Sequence, residues 1–315
     1  MSTRILKAAV VGVGHLGRHH ARILASTEGV QLVGVVDINE AKAREVAATT
    51  GAAACTDARS ILGQVDLVSI AVPTESHRDV ATFFIDRGVP VLVEKPLARS
   101  VDEADAIIAA ASQAGVILAV GHTERFNPAV LAASPFVRAP KFIEVHRLGT
   151  FPERSLDIDV VFDLMIHDLD LVLAFAGSEV ESLEAVGVPV LTGRVDIANA
   201  RIRFVSGCVA NLTASRISRD RVRKIRFFQR DAYISIDCGS REAEMYRLEH
   251  VPGARPSIQG GPIPVIDSEP LRNELDDFVA AVRDRRPPRV GGEAGRRAVD
   301  LAQRITERMA ESTRV

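Results

Sequence analysis

KAAVVGVGHLGRHHARILAS, residues 7–26, is the stretch that decides the fold. Its first eight residues are a short, β-branched apolar run that ends in glycine. The next twelve place Leu16, Ala21, Ile23 and Leu24 at helical spacing. A strand that turns through glycines straight into a helix opens a βαβ unit. Working outward, the same alternation continues. QLVGVVD (31–37), VDLVSIAVP (65–73), VPVLVEKP (89–96) and VILAVGH (116–122) read as further strands. Residues 39–51, 75–88 and 100–115 read as helices, the first two closed by Gly51 and Gly88, and Ser100 with Glu103 forms a capping-box pattern at the start of the third. Strands that are apolar throughout and alternate with helices imply a parallel sheet covered on both faces.

Within the opening stretch lies GVGHLG, with Gly12, Gly14 and Gly17. A G-x-G-x-x-G pattern alone is weak. Here it joins a strand to a helix, and Asp37 ends the next strand twenty residues after Gly17. That completes a dinucleotide fingerprint. Gly12 permits the tight turn, Gly14 lets the backbone approach a pyrophosphate, and Gly17 lets helix and sheet pack closely. His15 and Leu16 lie inside the same turn and count as cofactor-binding candidates. The helix N-terminus offers free N–H groups to phosphates. Asp37 can accept hydrogen bonds from ribose hydroxyls and would repel a 2′-phosphate. No arginine follows it at once, so NAD is favoured over NADP. A glycine cluster that serves helix packing alone is the plainer alternative.

Composition narrows the function classes. The chain has 315 residues, 47% apolar and 25% charged, with a formal net charge of -2. That is a globular balance with no polyanion-binding signature. Aromatic residues make up 4% and Trp is absent, which disfavours a stacking platform for nucleic acid. Cys55, Cys208 and Cys238 are odd in number and far apart, so neither a disulfide framework nor a zinc site is expected, and no metal. No stretch approaches the roughly 18–20 apolar residues of a membrane span, and the N-terminal apolar run is too short for a signal peptide. The reading is a soluble cytoplasmic protein.

The fourth strand ends in VLVEKP (91–96). Carboxyl ends of strands in such a sheet face the cofactor crevice, which puts Glu94 and Lys95 beside the nicotinamide. A lysine there can exchange a proton with substrate once its surroundings tune its pKa. A strand-end lysine paired with Glu94 is the other reading.

The second half changes character. KFIEVHRL (141–148), DIANARIRFV (196–205) and GCVANLTASRI (207–217) read as strands, and 224–238 as a hairpin through Gln229–Asp231. Residues 251–268 read as a loop, and 270–285 and 292–310 as helices. Between the first two strands lies VFDLMIHDLDLVL (161–173), within a helix expected from Val160 to Ala176 and closed by Gly177. On a regular helix Asp163, His167 and Asp170 share a stripe roughly 60° wide, with leucines around it. A helix apolar on almost every side is buried, so the stripe faces a buried polar cavity or an internal ion-pair network. Asp170 reads as support for Asp163 and His167. Asp168 falls off the stripe and reads as a structural acid or a local hydrogen-bonder, a bystander to the site. RISRDRVRKIR (216–226) carries six basic residues, either a solvated strand edge or a site for a substrate diphosphate, with Arg125, Arg147 and Arg154 as rivals. Arg125 and Asn127 follow the fifth strand, where substrate contacts belong, and are rated above the run.

GVGHLG (12–17), VVD (35–37), AVPTESH (71–77), EKP (94–96), GHTERFNP (121–128) and Asp163-x-x-x-His167, in this order, resemble the glucose-fructose oxidoreductase/inositol dehydrogenase/MocA family of sugar dehydrogenases. The resemblance covers essentially the whole chain. It implies an N-terminal Rossmann domain, a doubly wound parallel sheet over 1–122. It also implies a C-terminal α+β domain over 123–315, built on a large, mostly antiparallel open sheet, whose last helices can pack back on the first domain. It implies NAD as cofactor and a homodimer or homotetramer formed through that sheet. By position, Lys95 matches the family's catalytic lysine. Asp163 and His167 match its substrate-binding and acid/base pair, facing the sugar. Pro73, Thr74 and His77 match the stretch lining the nicotinamide. Pro96 matches a proline whose preceding bond is often cis. GHTERFNPAV (121–130), DLMIHDLDLVL (163–173), AVGVPVLT (185–192), DIANARI (196–202) and CVANLTASRIS (208–218) look like the UDP-N-acetylglucosamine 3-dehydrogenase branch of the family. That branch is associated with a diamino lipid A. The resemblance therefore implies oxidation of a sugar secondary hydroxyl to a ketone, with Lys95 or His167 as the proton acceptor. An inositol or simple-sugar dehydrogenase is one alternative, and a non-catalytic NAD-binding sensor is another.

Overall fold

The computed structural model describes residues 4–151, 158–249, 255 and 257–312. Contacts divide the chain into two compact units, 1–122 with 271–299, and 123–270 with 300–315.

The first unit begins with β1 (Leu6–Val11), α1 (Gly17–Ala25), β2 (Val30–Val36), α2 (Glu40–Thr50) and β3 (Ala53–Cys55). It continues through β4 (Leu67–Ile70), α3 (His77–Ile85), β5 (Val91–Glu94), α4 (Val101–Ala114) and β6 (Leu118–Gly121). The strands form one parallel sheet in the order β3-β2-β1-β4-β5-β6. The order reverses beside β1, and a crevice opens at such a switch point outside the strands' carboxyl ends. β3 is a sixth strand that the pattern of apolar runs does not reveal. It is three residues long, pairs with β2 alone and is mostly exposed. Local signals set the helix ends. Asn39 accepts the Lys42 N–H at the start of α2, and Gly51 closes it at φ +74°. Ser100 accepts the Glu103 N–H, but Glu103 turns its carboxylate to Arg99, so the capping box is half made.

The second unit holds α5 (Pro128–Ala133), β7 (Phe142–Leu148), α6 (Ile166–Ala176), β8 (Val180–Val188), β9 (Ile197–Phe204) and β10 (Val209–Ser215). β11 (Val222–Phe228), β12 (Ala232–Asp237), β13 (Glu242–Glu249) and β14 (Ser257–Pro262) complete it. The sheet runs β14-β13-β12-β11-β7-β10-β9-β8. β7 and β10 are parallel and the other described neighbours antiparallel. The expected loop over 251–268 is corrected in part. β14 lies inside it, and its Gly260, Gly261 and Pro262 had read as turn residues. β8 and β13 were not anticipated either. One face of the sheet is apolar, with Ile143, Val145, Ile202, Leu212, Ile225 and Phe227 buried. Phe175 of α6 meets Phe227 edge-on at 4.8 Å. The opposite face carries a row of rings, Phe142, Phe228, Tyr233 and Tyr246.

The helix expected from Val160 is not regular. Val161–Met165 forms a π turn, with the Ile166 N–H reaching back five residues to the Val161 carbonyl, before α6 begins. Gly177 closes α6 at φ +55°. The chain then returns to the first unit with α7 (Pro270–Asp284). Its Leu271, Leu275, Phe278 and Val279 join the core of Leu6, Ala8, Leu24 and Leu32. α8 (Gly292–Ser312) contributes its start to the first unit and its end to the second. Cys208 and Cys238 are buried free thiols, and burial pushes the Cys208 thiol up to about 11. Among the described residues no helix is long and apolar enough to cross a membrane.

Candidate active site

In the first unit the glycine turn is built for a close ligand. Gly12 adopts φ +83°, and a Cβ there would lie 2.7 Å from the Ala71 carbonyl. A Cβ on Gly17 would lie 1.8 Å from the Gly12 carbonyl oxygen. Both glycines are required by the turn itself. Gly14 differs: nothing lies within 4 Å of its Cβ position, so its face is open. α1 begins here with no side-chain cap and no acid in its first turn, which suits phosphate. His15 and Leu16 are exposed on the turn. Asp37 accepts the Val13 N–H at 3.0 Å and the Asn39 N–H at 2.9 Å, one on each carboxylate oxygen. It therefore joins the glycine turn to the end of β2, with lone pairs left for ribose hydroxyls. These residues fit an NAD pyrophosphate and adenosine ribose.

Lys95 follows the last residue of β5, is half-buried, and precedes a cis bond to Pro96. Its N–H donates to Glu94 Oε2 at 3.2 Å. Glu94 Oε1 lies 3.0 Å from His20 Nε2, and His20 Nδ1 lies 2.7 Å from Ser69 Oγ. Ser69 and His20 are wholly buried and Glu94 nearly so. The order Ser–His–Glu matches a hydrolytic triad, but a serine closed to solvent cannot attack a substrate. The chain instead fixes the backbone beneath Lys95. Sequence reasoning missed His20 and Ser69. The usable signal was the spacing of His20 with Ile23 and Leu24, on the buried face of α1. His77 is buried too. Its Nδ1 is 2.9 Å from the Pro96 carbonyl and its Nε2 2.9 Å from the Val72 carbonyl. Its ring thus ties the segment carrying Pro73 and Thr74 to the segment carrying Lys95, and presents neither nitrogen to a cofactor.

In the second unit Asp163 sits in the π turn and His167 one turn on, both half-buried while Met165, Ile166 and Asp168–Val172 are buried. π turns recur at functional sites. Leu164, which a regular wheel places among the buried residues, shares the half-open side. Asp168 is the structural acid that the wheel suggests, but its partner is not local. It receives two hydrogen bonds from Arg147, from Nε at 2.7 Å and Nη2 at 2.8 Å, and Glu124 lies 3.2 Å from the same guanidinium. Burial alone would lower the Arg147 guanidinium, but the charges of Asp168 and Glu124 outweigh it and hold Arg147 above its ordinary range. Asp170 faces Arg125 at 3.2 Å. Asn127, expected to touch substrate, is 3% exposed. It accepts the Ala129 N–H as cap of α5 and donates to the Cys238 carbonyl and Glu124, so the fold uses its amide. Arg216, from the basic run, is buried against Asp196 and the Ile158 carbonyl, so the run is not simply a solvated edge. Arg154 lies outside the described residues.

A nucleotide-ready glycine turn, an acid at the second strand's end and a lysine at the fifth define a dinucleotide-dependent oxidoreductase. Residues 6–122 match the GFO/IDH/MocA family model, described as an oxidoreductase family with an NAD-binding Rossmann fold, and residues 144–235 match its C-terminal domain. The chain belongs to this family and is an NAD-dependent dehydrogenase. It is 40% identical over 304 residues to UDP-N-acetylglucosamine 3-dehydrogenase of Acidithiobacillus ferrooxidans, covering 95% of this chain and 96% of that one. A solved structure of that enzyme superposes with a TM-score of 0.90 at 38% identity, over 96% of this chain and 97% of that one. The NAD(+)-dependent scyllo-inositol 2-dehydrogenase of Bacillus subtilis is 31% identical over 68% of each chain. A levoglucosan dehydrogenase solved with NADH and levoglucosan shares the fold, at a TM-score of 0.87 and 20% identity over 97% of each chain.

Proposed function

We propose that the chain oxidises the 3-hydroxyl of UDP-N-acetylglucosamine to a ketone, with NAD as oxidant. One observation carries this reading: the match to the A. ferrooxidans enzyme is nearly full-length at 40% identity, whereas an inositol 2-dehydrogenase of Rhizobium meliloti that matches over 98% of the chain is only 24% identical, and the B. subtilis one, at 31%, covers 68%. When bound, NAD would supply the hydride acceptor. The chain's own residues do the rest. The turn through Gly12, Gly14 and Gly17 and the Asp37 carboxylate hold the dinucleotide. Lys95, fixed from below by Glu94, and His167 are the two groups able to take the hydroxyl proton. His167 has the better ordinary pKa for that work near neutrality. Asp163, within one turn of His167, orients the sugar. A sensor that binds NAD without chemistry would need neither Lys95 nor this Asp–His pair.

The finer setting belongs to the same reading. The product ketone suits a diamino lipid A route in the cytoplasm. The half-exposed aromatic row of the large sheet, with Phe228 and Tyr246 38% and 37% exposed, suits a homodimer or homotetramer formed through that face. A substrate panel followed by NADH absorbance tests the proposal. UDP-N-acetylglucosamine should reduce NAD, while free N-acetylglucosamine and myo-inositol should not. Faster turnover of an inositol would replace this reading with a simple-sugar dehydrogenase.

A further inference from the structure

We infer that an arginine-walled cavity of the second unit is the seat of the substrate's diphosphate. The inference rests on the nucleotide-sugar reading above. The cavity encloses about 290 Å³, and Arg147, Thr150, Asp163, Arg216, Arg221 and Arg223 line it. That is at the small end of ligand pockets, room for part of a nucleotide sugar and not for the whole.

The four guanidinium groups are of two kinds. Arg147 and Arg216 are buried and neutralised, by Asp168 with Glu124 and by Asp196. They are walls. Arg221 and Arg223 are exposed, and among the described residues neither has a carboxylate within ion-pair distance. Register explains where they sit. Arg223 is directly opposite Arg147 on the neighbouring strand, which puts both side chains on one face of the sheet. Arg221, just before β11, reaches to 3.4 Å from Thr150 Oγ1. Two like charges are thus held beside an already occupied guanidinium, in the lining of a concave site, with a hydroxyl beside Arg221. A dianion relieves that repulsion. Arg is suited to phosphate because its fork donates two parallel N–H bonds to the oxygens.

The position of Asp163 gives the cavity its direction. In a nucleotide sugar the β-phosphate is bonded to the anomeric carbon, so the sugar ring adjoins the diphosphate. Asp163 lies on the same wall as the arginines. A diphosphate held by Arg221, Arg223 and Thr150 leaves the ring beside Asp163. A free sugar or an inositol has no group for these two arginines.

The test compares R221Q/R223Q with R203Q/R247Q, which removes the same charge from exposed positions outside the cavity. UDP and inorganic pyrophosphate are titrated by calorimetry into both and into the unaltered chain, beside the KM for UDP-N-acetylglucosamine. R221Q/R223Q should weaken UDP by roughly 100-fold and raise KM in parallel, with NAD affinity unchanged and R203Q/R247Q like the parent. Oxidation of UDP-N-acetylglucosamine with UDP affinity unmoved in R221Q/R223Q would overturn the site and leave the proposed function standing. Pyrophosphate binding that needs Arg221 and Arg223, in a chain that oxidises no UDP-sugar, would support the site and remove the substrate. A parent chain that binds neither UDP nor pyrophosphate overturns both.

Discussion

Glu94 carries a single carboxylate with two fixed neighbours, His20 on one oxygen and the Lys95 backbone on the other. It closes off the interior side of the Lys95 backbone and so fixes the strand end from which the lysine side chain extends. Lys95→Met should therefore leave NAD titration unchanged while turnover falls by about 100-fold or more. Turnover within a few-fold of the parent would pass the proton to His167. A second residue, Asp196, is a stability device. Burial pushes its carboxyl up, but the N–H groups of Leu191 and Thr192, the Thr192 hydroxyl and Arg216 outweigh that and hold it well below the carboxylate range. A depressed carboxyl stabilises the fold at every pH above its unfolded value of about 3.9 and loses that contribution as pH falls toward its folded value. Asp196→Asn should cost about 3–5 kcal/mol at neutral pH, since it strands Arg216. In urea unfolding, the gap between parent and variant should narrow below about pH 4. A gap that stays constant with pH would show that the charge of Asp196 is not what holds Arg216. The strand-end places of Asp37 and Lys95, and the half-open side that Asp163 shares with His167, were legible because their neighbours in sequence announce them. The partner of Asp168 was not. Arg147 stands twenty-one residues earlier on a strand, and a helical wheel cannot display a partner from outside the helix.

At the scale of elements, the β1–α1 turn separates what the fold needs from what the ligand needs. Gly17 has no room for a methyl group, whereas Gly14 has only open space beside it. Gly14→Ala should unfold at the parent's temperature yet bind NAD at least tenfold more weakly, because its Cβ stands where the pyrophosphate approaches. Gly17→Ala should lower the melting temperature as well. Equal NAD affinity in Gly14→Ala would mean that the dinucleotide does not lie along this turn. The parallel sheet was readable because its central strands are unbroken apolar runs set off by helices. The elements that escaped were edges, the largely exposed β13 beside an edge, or breaks of pattern. β3 and β14 lie at sheet margins, where burial no longer imposes an apolar signature, and β14 ends in glycines and a proline. The π turn at Val161–Met165 escaped for another reason. Its sequence is an ordinary helical one, and the inserted residue follows from how the segment packs.

At the scale of the molecule, fold class and cofactor were written in motifs within the first 122 residues, while the proposed substrate contacts are spread through the second unit with no comparable signature. That division follows from chemistry. A dinucleotide is met by one contiguous turn and one acid, but the proposed diphosphate seat gathers Arg147, Asp163, Arg216, Arg221 and Arg223 from separate segments. The same layout bears on how the protein is made. The core around Leu6, Ala8 and Leu24 is completed by Leu271, Leu275 and Phe278, which leave the ribosome only after the whole large sheet has been synthesised. The nucleotide-binding unit is thus begun first and completed only after the large sheet. During translation its apolar interior waits, uncapped, for a helix nearly 150 residues away, and nascent chains cut short before that helix would offer that surface to chaperones and proteases.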